Sequence, residues 1–228
     1  MGPLTCSVGA VAVTATVSVL LSKHRSAVLK WQPELLSLGA GTLLGDALLH
    51  ILPHQHDNGY AFHLVVLGIV LSQLLEDAAR WMPRWSVKPV ALNNLVSDFI
   101  HNGYDGLVLA AAWKQGVGPA TAVAVLVHEL AQEIGDFVLL TSAGLSNRKV
   151  VAYNILVSLS CPLGVVMGSR SGLDQEGCSG LLAVAAGNFL HMALTEMLPA
   201  ESKNCKTPYL IAGLVVMLSL AAHETHNH

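Results

Sequence analysis

Val123-Ala124-Val125-Leu126-Val127-His128-Glu129-Leu130-Ala131-Gln132-Glu133-Ile134-Gly135-Asp136-Phe137-Val138-Leu139-Leu140 is an apolar run with a polar centre. The surrounding stretch, near 119 to 142, is long enough to cross a bilayer, because a hydrocarbon core about 30 Å thick needs roughly 20 residues at about 1.5 Å each. A charged side chain at mid-bilayer costs on the order of 3 kcal/mol on insertion scales, so ionisable groups kept in such a segment mark a candidate site.

The rest of the chain reads the same way. Its 228 residues are 53% hydrophobic and only 12% charged, against about 25% charged in ordinary soluble domains. The expected fold class is therefore an all-α membrane protein, with the lipid bilayer as its solvent. Apolar segments near 4–22, 34–53, 60–80, 89–113, 119–142, 149–169, 178–198 and 208–223 predict eight transmembrane helices in a single polytopic domain, 1–228. Short connections rich in Pro, Gly, Asn or charge leave no room for a soluble domain between them. The first segment has no basic residues before it and Lys23, His24 and Arg25 after it, the pattern of a span rather than a cleaved signal.

Charge placement sets the expected orientation. With eight spans and the N-terminus outside, ten of the twelve Lys and Arg residues fall in inner loops and only Lys114 and Arg170 outside, as the positive-inside rule requires. A single missed or invented helix would invert every later loop. Both termini are thus expected on the extracellular or lumenal side, and which membrane is involved stays open. A net charge of −3 offers no basic field for nucleic acid. Cys6, Cys161, Cys178 and Cys205 are scattered singly, with neither a zinc-ribbon nor a disulfide pattern. Trp31, Trp81 and Trp85 fall at cytosolic span ends, where indoles anchor in headgroups.

Intramembrane polar residues concentrate in spans four and five. Span four contains Ser97-Asp98-Phe99-Ile100-His101-Asn102-Gly103-Tyr104-Asp105-Gly106. Residues four apart share a helix face, pairing His101 with Asp105, His128 with Gln132 and Glu129 with Glu133, with Asn102 beside the first pair. Imidazole, carboxylate and carboxamide groups on facing helices can enclose a cation. This donor set suits zinc, iron, manganese or cobalt, and its lack of sulfur argues against copper(I). Gly103, Gly106 and Gly135 are expected to bring these two helices close together. Metal binding would compete with protons for such ligands.

At these residues the chain resembles the ZIP (Zrt/Irt-like) family of divalent metal transporters. Its fourth-helix pattern H-N-x-x-D-G is matched by His101-Asn102-Gly103-Tyr104-Asp105-Gly106, and its fifth-helix pattern H-E-x-P-H-E-x-G-D by His128 to Asp136, with Ala131 in place of Pro and Gln132 in place of His. Gly45 to His54 looks like the family's second helix and Gly187 to Pro199 like its seventh. The resemblance implies a ZIP-like bundle with a binuclear metal site between helices four and five. It implies one position using His101, Asp105, His128 and Gln132, a second using Asn102, Asp105, Glu129 and Glu133, and Asp105 as the bridge. It further implies zinc as transported substrate moving into the cytosol, with Fe(2+), Mn(2+) and Cd(2+) as alternative cargo, no cofactor, and a homodimer. The loop after span three carries no histidine, unlike that of many members. Losing the proline at Ala131 would leave helix five straighter.

Other residues are secondary candidates for the metal's path. Asp46, His50 and His54 lie four apart on span two, His191 and Glu196 lie on span seven, and Asp98 and Asp136 flank the central motifs. The tail residues His223, Glu224, His226 and His228 could capture metal or simply form a polar end. An intramembrane zinc hydrolase is the enzymatic alternative for His128-Glu129, but Gln132 removes the second imidazole that H-E-x-x-H chemistry needs. A haem protein with histidine axial ligands is disfavoured by the adjacent carboxylates. No G-x-x-x-x-G-K-[ST] loop occurs, so transport would run without ATP.

Overall fold

The computed structural model describes residues 2–55, 59–81, 88–116, 118–170, 175–198 and 206–225, and among them it is all-helical. In chain order the helices are α1 (Pro3–Lys23), α2 (Arg25–Lys30), α3 (Gln32–Gly45), α4 (Ala61–Trp81), α5 (Pro89–Gln115), α6 (Gly118–Ser142), α7 (Asn147–Ser158), α8 (Ser160–Arg170), α9 (Gln175–Met192) and α10 (Thr207–Thr225). A π-helical turn, Asp46–Ile51, and a 3-10 turn, Leu52–Gln55, extend α3, and a second π-helical turn, Ala193–Met197, extends α9.

Among the described residues, four stretches are long and apolar enough to cross a membrane: Pro3–Lys23, Gln32–Ile51, Ala61–Ala78 and Asn147–Arg170. Gly180–Thr195 and Thr207–Ser219 are shorter apolar helices. α5 and α6 are the two longest helices, and both carry buried ionisable residues along their middles. Local sequence sets their ends. Pro89 opens α5 at the position where a missing N–H costs nothing, and Gly116, at φ 84°, closes it in the left-handed conformation that glycine adopts without strain.

The core is centred on α3, α5, α6 and α9. Leu36, Ala40, Phe137, Leu140, Ala186, Phe189 and Met192 are buried together, and the Ala193–Met197 turn adds Met197. α1 buries a stripe of small residues, Ser7, Ala10, Thr14 and Ser18, against α6, α7 and α8. Three further pairings are glycine-mediated: α3 with α10 through Gly41 and Gly213, α4 with α9 through Gly68 and Gly187, and α5 with α8 through Gly106 and Gly164. At Gly106 an added Cβ would lie 2.0 Å from the Cys161 carbonyl oxygen, so only glycine permits that approach.

These contacts correct one expectation. Gly103 and Gly106 face Ser160 and Cys161 on α8, and Gly135 faces Gly39 on α3. Gly106 and Gly135 therefore dock the two site helices onto α8 and α3 instead of onto each other. The reason is geometric: on α5 the glycines sit off the His101–Asp105 face and turn toward α8, while on α6 Gly135 meets α3, the helix whose extension brings Asp46 to His101.

Candidate metal centre

α5 and α6 bring three ligating side chains to one point. His101, Asp105 and Glu129 are all buried, and one ligand atom from each lies within 4.8 Å of the other two. His101 Nε2 is 3.6 Å from Asp105 Oδ2, one helical turn away on the same face of α5. Phe189 of α9 packs against the His101 ring at 5.2 Å between centroids and supports it from behind. One imidazole and two carboxylates around a single point are the nitrogen and oxygen donors that suit borderline divalent metals.

A second polar set on the same two helices is bonded within itself. The Asp98 carboxylate accepts hydrogen bonds from Asn102 Nδ2 at 3.1 Å and from Gln132 Nε2 at 3.0 Å, joining α5 to α6. Asn102 Nδ2 also donates to the Asp98 carbonyl oxygen at 3.0 Å. Because both amides turn their nitrogens to Asp98, each has its carbonyl oxygen left as the atom that could face a cation. Asp46 Oδ2 lies 3.8 Å from His101 Nδ1, approaching from α3.

The structure separates some of the sequence candidates. Glu133 does not join its vertical partner Glu129: its carboxylate accepts hydrogen bonds from Ser18 Oγ and from Asn154 Nδ2, the latter at 2.6 Å, and so ties α6 to α1 and α7. Asp136 is buried further along α6. His50, with His101, Tyr104, Asp105 and Thr121, lines a cavity of about 30 Å³ beside the ligating group. The even four-residue spacing expected for Asp46, His50 and His54 is replaced by the π-helical turn followed by a 3-10 turn, in a region where a wider helical turn re-aims its side chains. The side chains of His128, His54 and Glu196 lie outside the described residues, as does the tail beyond residue 225 for His226 and His228.

His191 does not stand alone. Its Nε2 is 3.0 Å from Glu76 Oε1, and Asn93 Nδ2 donates to the same oxygen at 2.9 Å. The sequence reading singles out neither Glu76 nor Asn93. Glu76 is grouped in sequence with Asp77 and Arg80 near a span end, which makes it look like interfacial charge, yet it is 2% exposed. The rule that flags intramembrane acids applies to it once it is seen as a residue of α4.

Apolar helices long enough to cross a bilayer, packed around buried imidazole and carboxylate groups, define a multi-pass helical membrane protein whose interior holds a cluster able to take a metal ion. The family model described as ZIP Zinc transporter matches residues 76–221, and the chain belongs to that family. It is 42% identical over 143 residues to zinc transporter ZIP4 of Mus musculus, covering 57% of this chain and 21% of that protein. It is 34% identical over 171 residues to zinc transporter ZIP10 of Danio rerio, covering 68% of this chain and 19% of the relative. Zinc transporter foi of Drosophila melanogaster is 33% identical over 152 residues, 62% of this chain and 22% of the relative. The chain thus spans about a fifth of the length of these curated relatives.

Proposed function

We propose that this protein carries divalent transition-metal ions, zinc first, across a membrane and into the cytosol, through a site shared by α5 and α6. The observation that carries the reading is the convergence of His101, Asp105 and Glu129, all buried, with one ligand atom of each within 4.8 Å of the other two. Membership of a family whose relatives are named as zinc transporters supports it. The intramembrane hydrolase reading loses ground on the same geometry, since Gln132 donates its amide to Asp98 and stands where that chemistry needs an imidazole.

In this proposal the first ion is held by His101, Asp105 and Glu129, with His128, adjacent to Glu129, and Gln132 Oε1 from the next turn of α6 completing its shell. A second, adjacent position uses Asn102 Oδ1 with Asp105 and Glu129, Asp105 bridging the two. Glu133 is better supported as a tether to α1 and α7 than as a ligand. The metal is cargo, bound partly dehydrated near mid-membrane and exposed alternately to either side, in the manner of secondary carriers. Asp46 and His50 would receive it on one side of the site. Eight spans with both termini outside, and assembly as a homodimer, belong to the same proposal.

Uptake of labelled zinc into proteoliposomes tests it, comparing wild type with Asp105→Ala and adding iron, manganese and cadmium as competitors. Uptake by wild type and its loss in the variant are expected, and the order of competition names the ion. Correctly folded wild-type protein that takes up no metal would sink the carrier reading.

A further inference from the structure

Glu76, Asn93 and His191 lie on three different helices, α4, α5 and α9, and meet away from the site described above. All three are at least nine-tenths buried, at 2%, 0% and 4% exposure. Beside them is a cavity of about 90 Å³ lined by Ser72, Asn93, Ser97 and Asn188 among apolar residues. That is room for several waters. Three oxygens of these lining residues, Asn93 Oδ1, Ser97 Oγ and Asn188 Oδ1, are buried and have no hydrogen-bond partner among the described residues. Native interiors seldom leave such groups unpaired, and each one calls for an unplaced water or ion.

We propose that Glu76 and His191, with the Asn93 carboxamide oxygen, form a further divalent-metal station on the α4–α5–α9 side of the bundle. The inference rests on the carrier reading for the identity of the ion, but uses none of its ligands. The Glu76 Oε1 to His191 Nε2 separation of 3.0 Å is close to the distance of about 3.3 Å between neighbouring donors around a tetrahedral zinc with bonds of about 2.0 Å. In the metal-free arrangement the imidazole N–H and the Asn93 amide both donate to the carboxylate. With an ion bound, the imidazole turns a lone pair to it and Asn93 presents Oδ1, the atom now unpartnered. Water from the adjacent cavity completes the shell. One imidazole, one carboxylate and one amide oxygen form a borderline set of the same hardness as the central ligands.

Position gives the station a use. Asn93, Ser97 and His101 follow one another at four-residue intervals along α5, and the cavity runs beside Asn93 and Ser97. Asn93 is eight residues from His101, or about 12 Å along the helix axis. An ion leaving the central group toward the N-terminal end of α5 would meet polar lining and then a second weak ligand set, instead of the bare apolar interior that makes a charge costly. Two stations of similar donors let a cation step between them without either holding it too tightly to release.

The test counts zinc bound by the full chain in detergent micelles, using equilibrium dialysis at saturating metal, for Asp105→Ala and for Asp105→Ala combined with Glu76→Gln. Comparing two variants that share the same tail removes the tail histidines from the count. Glu76→Gln keeps the size and a hydrogen-bonding oxygen while deleting the anionic ligand, and His191→Gln serves as the second substitution in case the first disturbs folding, which size-exclusion elution monitors. Loss of one zinc per chain on adding either substitution is expected. Equal zinc in the single and double variants would overturn the station. Zinc lost in this comparison without any uptake by wild type would leave the station standing and sink the carrier. Uptake with no such loss would do the reverse.

Discussion

Asp98 is the residue on which both amides of the metal centre converge, accepting from Asn102 and Gln132 at about hydrogen-bond length. An acceptor-only carboxylate dictates which end of each amide is left for metal. Asp98→Asn removes that constraint, because an amide can face either partner with either end. Zinc affinity is expected to fall about 10- to 100-fold, the range seen when outer partners of metal ligands are altered. Asp105→Ala, which deletes a ligand, should fall further, and competition with a chelating dye measures both. Glu133 makes a second prediction at this scale. Since its carboxylate is occupied by Ser18 and Asn154, Glu133→Gln should leave zinc uptake within a few-fold of wild type while Glu129→Gln abolishes it. Asn154→Leu strands that carboxylate without one donor, at a cost of about 1–3 kcal/mol, visible as a lower melting temperature in detergent. The sequence placed Glu129 and Glu133 in one vertical pair by spacing alone. Residues four apart share a face only approximately, and a face wide enough to meet two neighbours can send one carboxylate to each.

Helices here are matched to one another by glycine faces. Gly106 admits the Cys161 carbonyl at 2.0 Å from where its Cβ would be, and Gly68 admits that of Val184 at 2.1 Å. Backbone does not move aside as a flexible side chain does, so Gly106→Ala and Gly68→Ala should each cost about 1–3 kcal/mol through overpacking. Gly103 is the internal control, for its Cβ would find the nearest atom of Ser160 at an ordinary 3.8 Å. Gly103→Ala should change stability by less than about 0.5 kcal/mol, and thermal unfolding followed by fluorescence-detected size exclusion separates the three. Apolar run length made the helices legible in the sequence, but which helix each glycine would meet was not. A small residue states that something comes close without naming it. The π-helical turn at Asp46–Ile51 was equally hidden, because its sequence, Asp-Ala-Leu-Leu-His-Ile, suits an α-helix just as well.

At the scale of the molecule, the buried cluster of His101, Asp105 and Glu129 was legible because charge is rare in apolar segments, whereas Glu76 was masked by neighbouring charges that share its sequence but not its burial. The expected orientation rests on a pattern of charge spread along the chain, and two polar ties show which helix ends lie together. Arg25, after α1, donates to Asn147 at the start of α7 at 2.6 Å, and Lys206, before α10, lies 3.7 Å from Glu34 near the start of α3. The starts of α7 and α10 are therefore both tied to the stretch of chain around α2 and the start of α3. At other helix ends, Lys114 near the close of α5 reaches the Gly168 carbonyl near the close of α8 at 2.9 Å. If basic loops face the cytosol, then on a background with Cys6, Cys161, Cys178 and Cys205 replaced by serine, Ser26→Cys should resist a membrane-impermeant maleimide in intact cells and react after permeabilisation. Gly59→Cys and Gly116→Cys, in loops expected on the opposite side, should react at once. Because every span reverses the chain, reaction of Ser26→Cys together with Gly59→Cys from the same side would mean that the stretch between them does not cross. The fully inverted pattern would keep the crossings between these positions and reverse the direction in which metal is delivered.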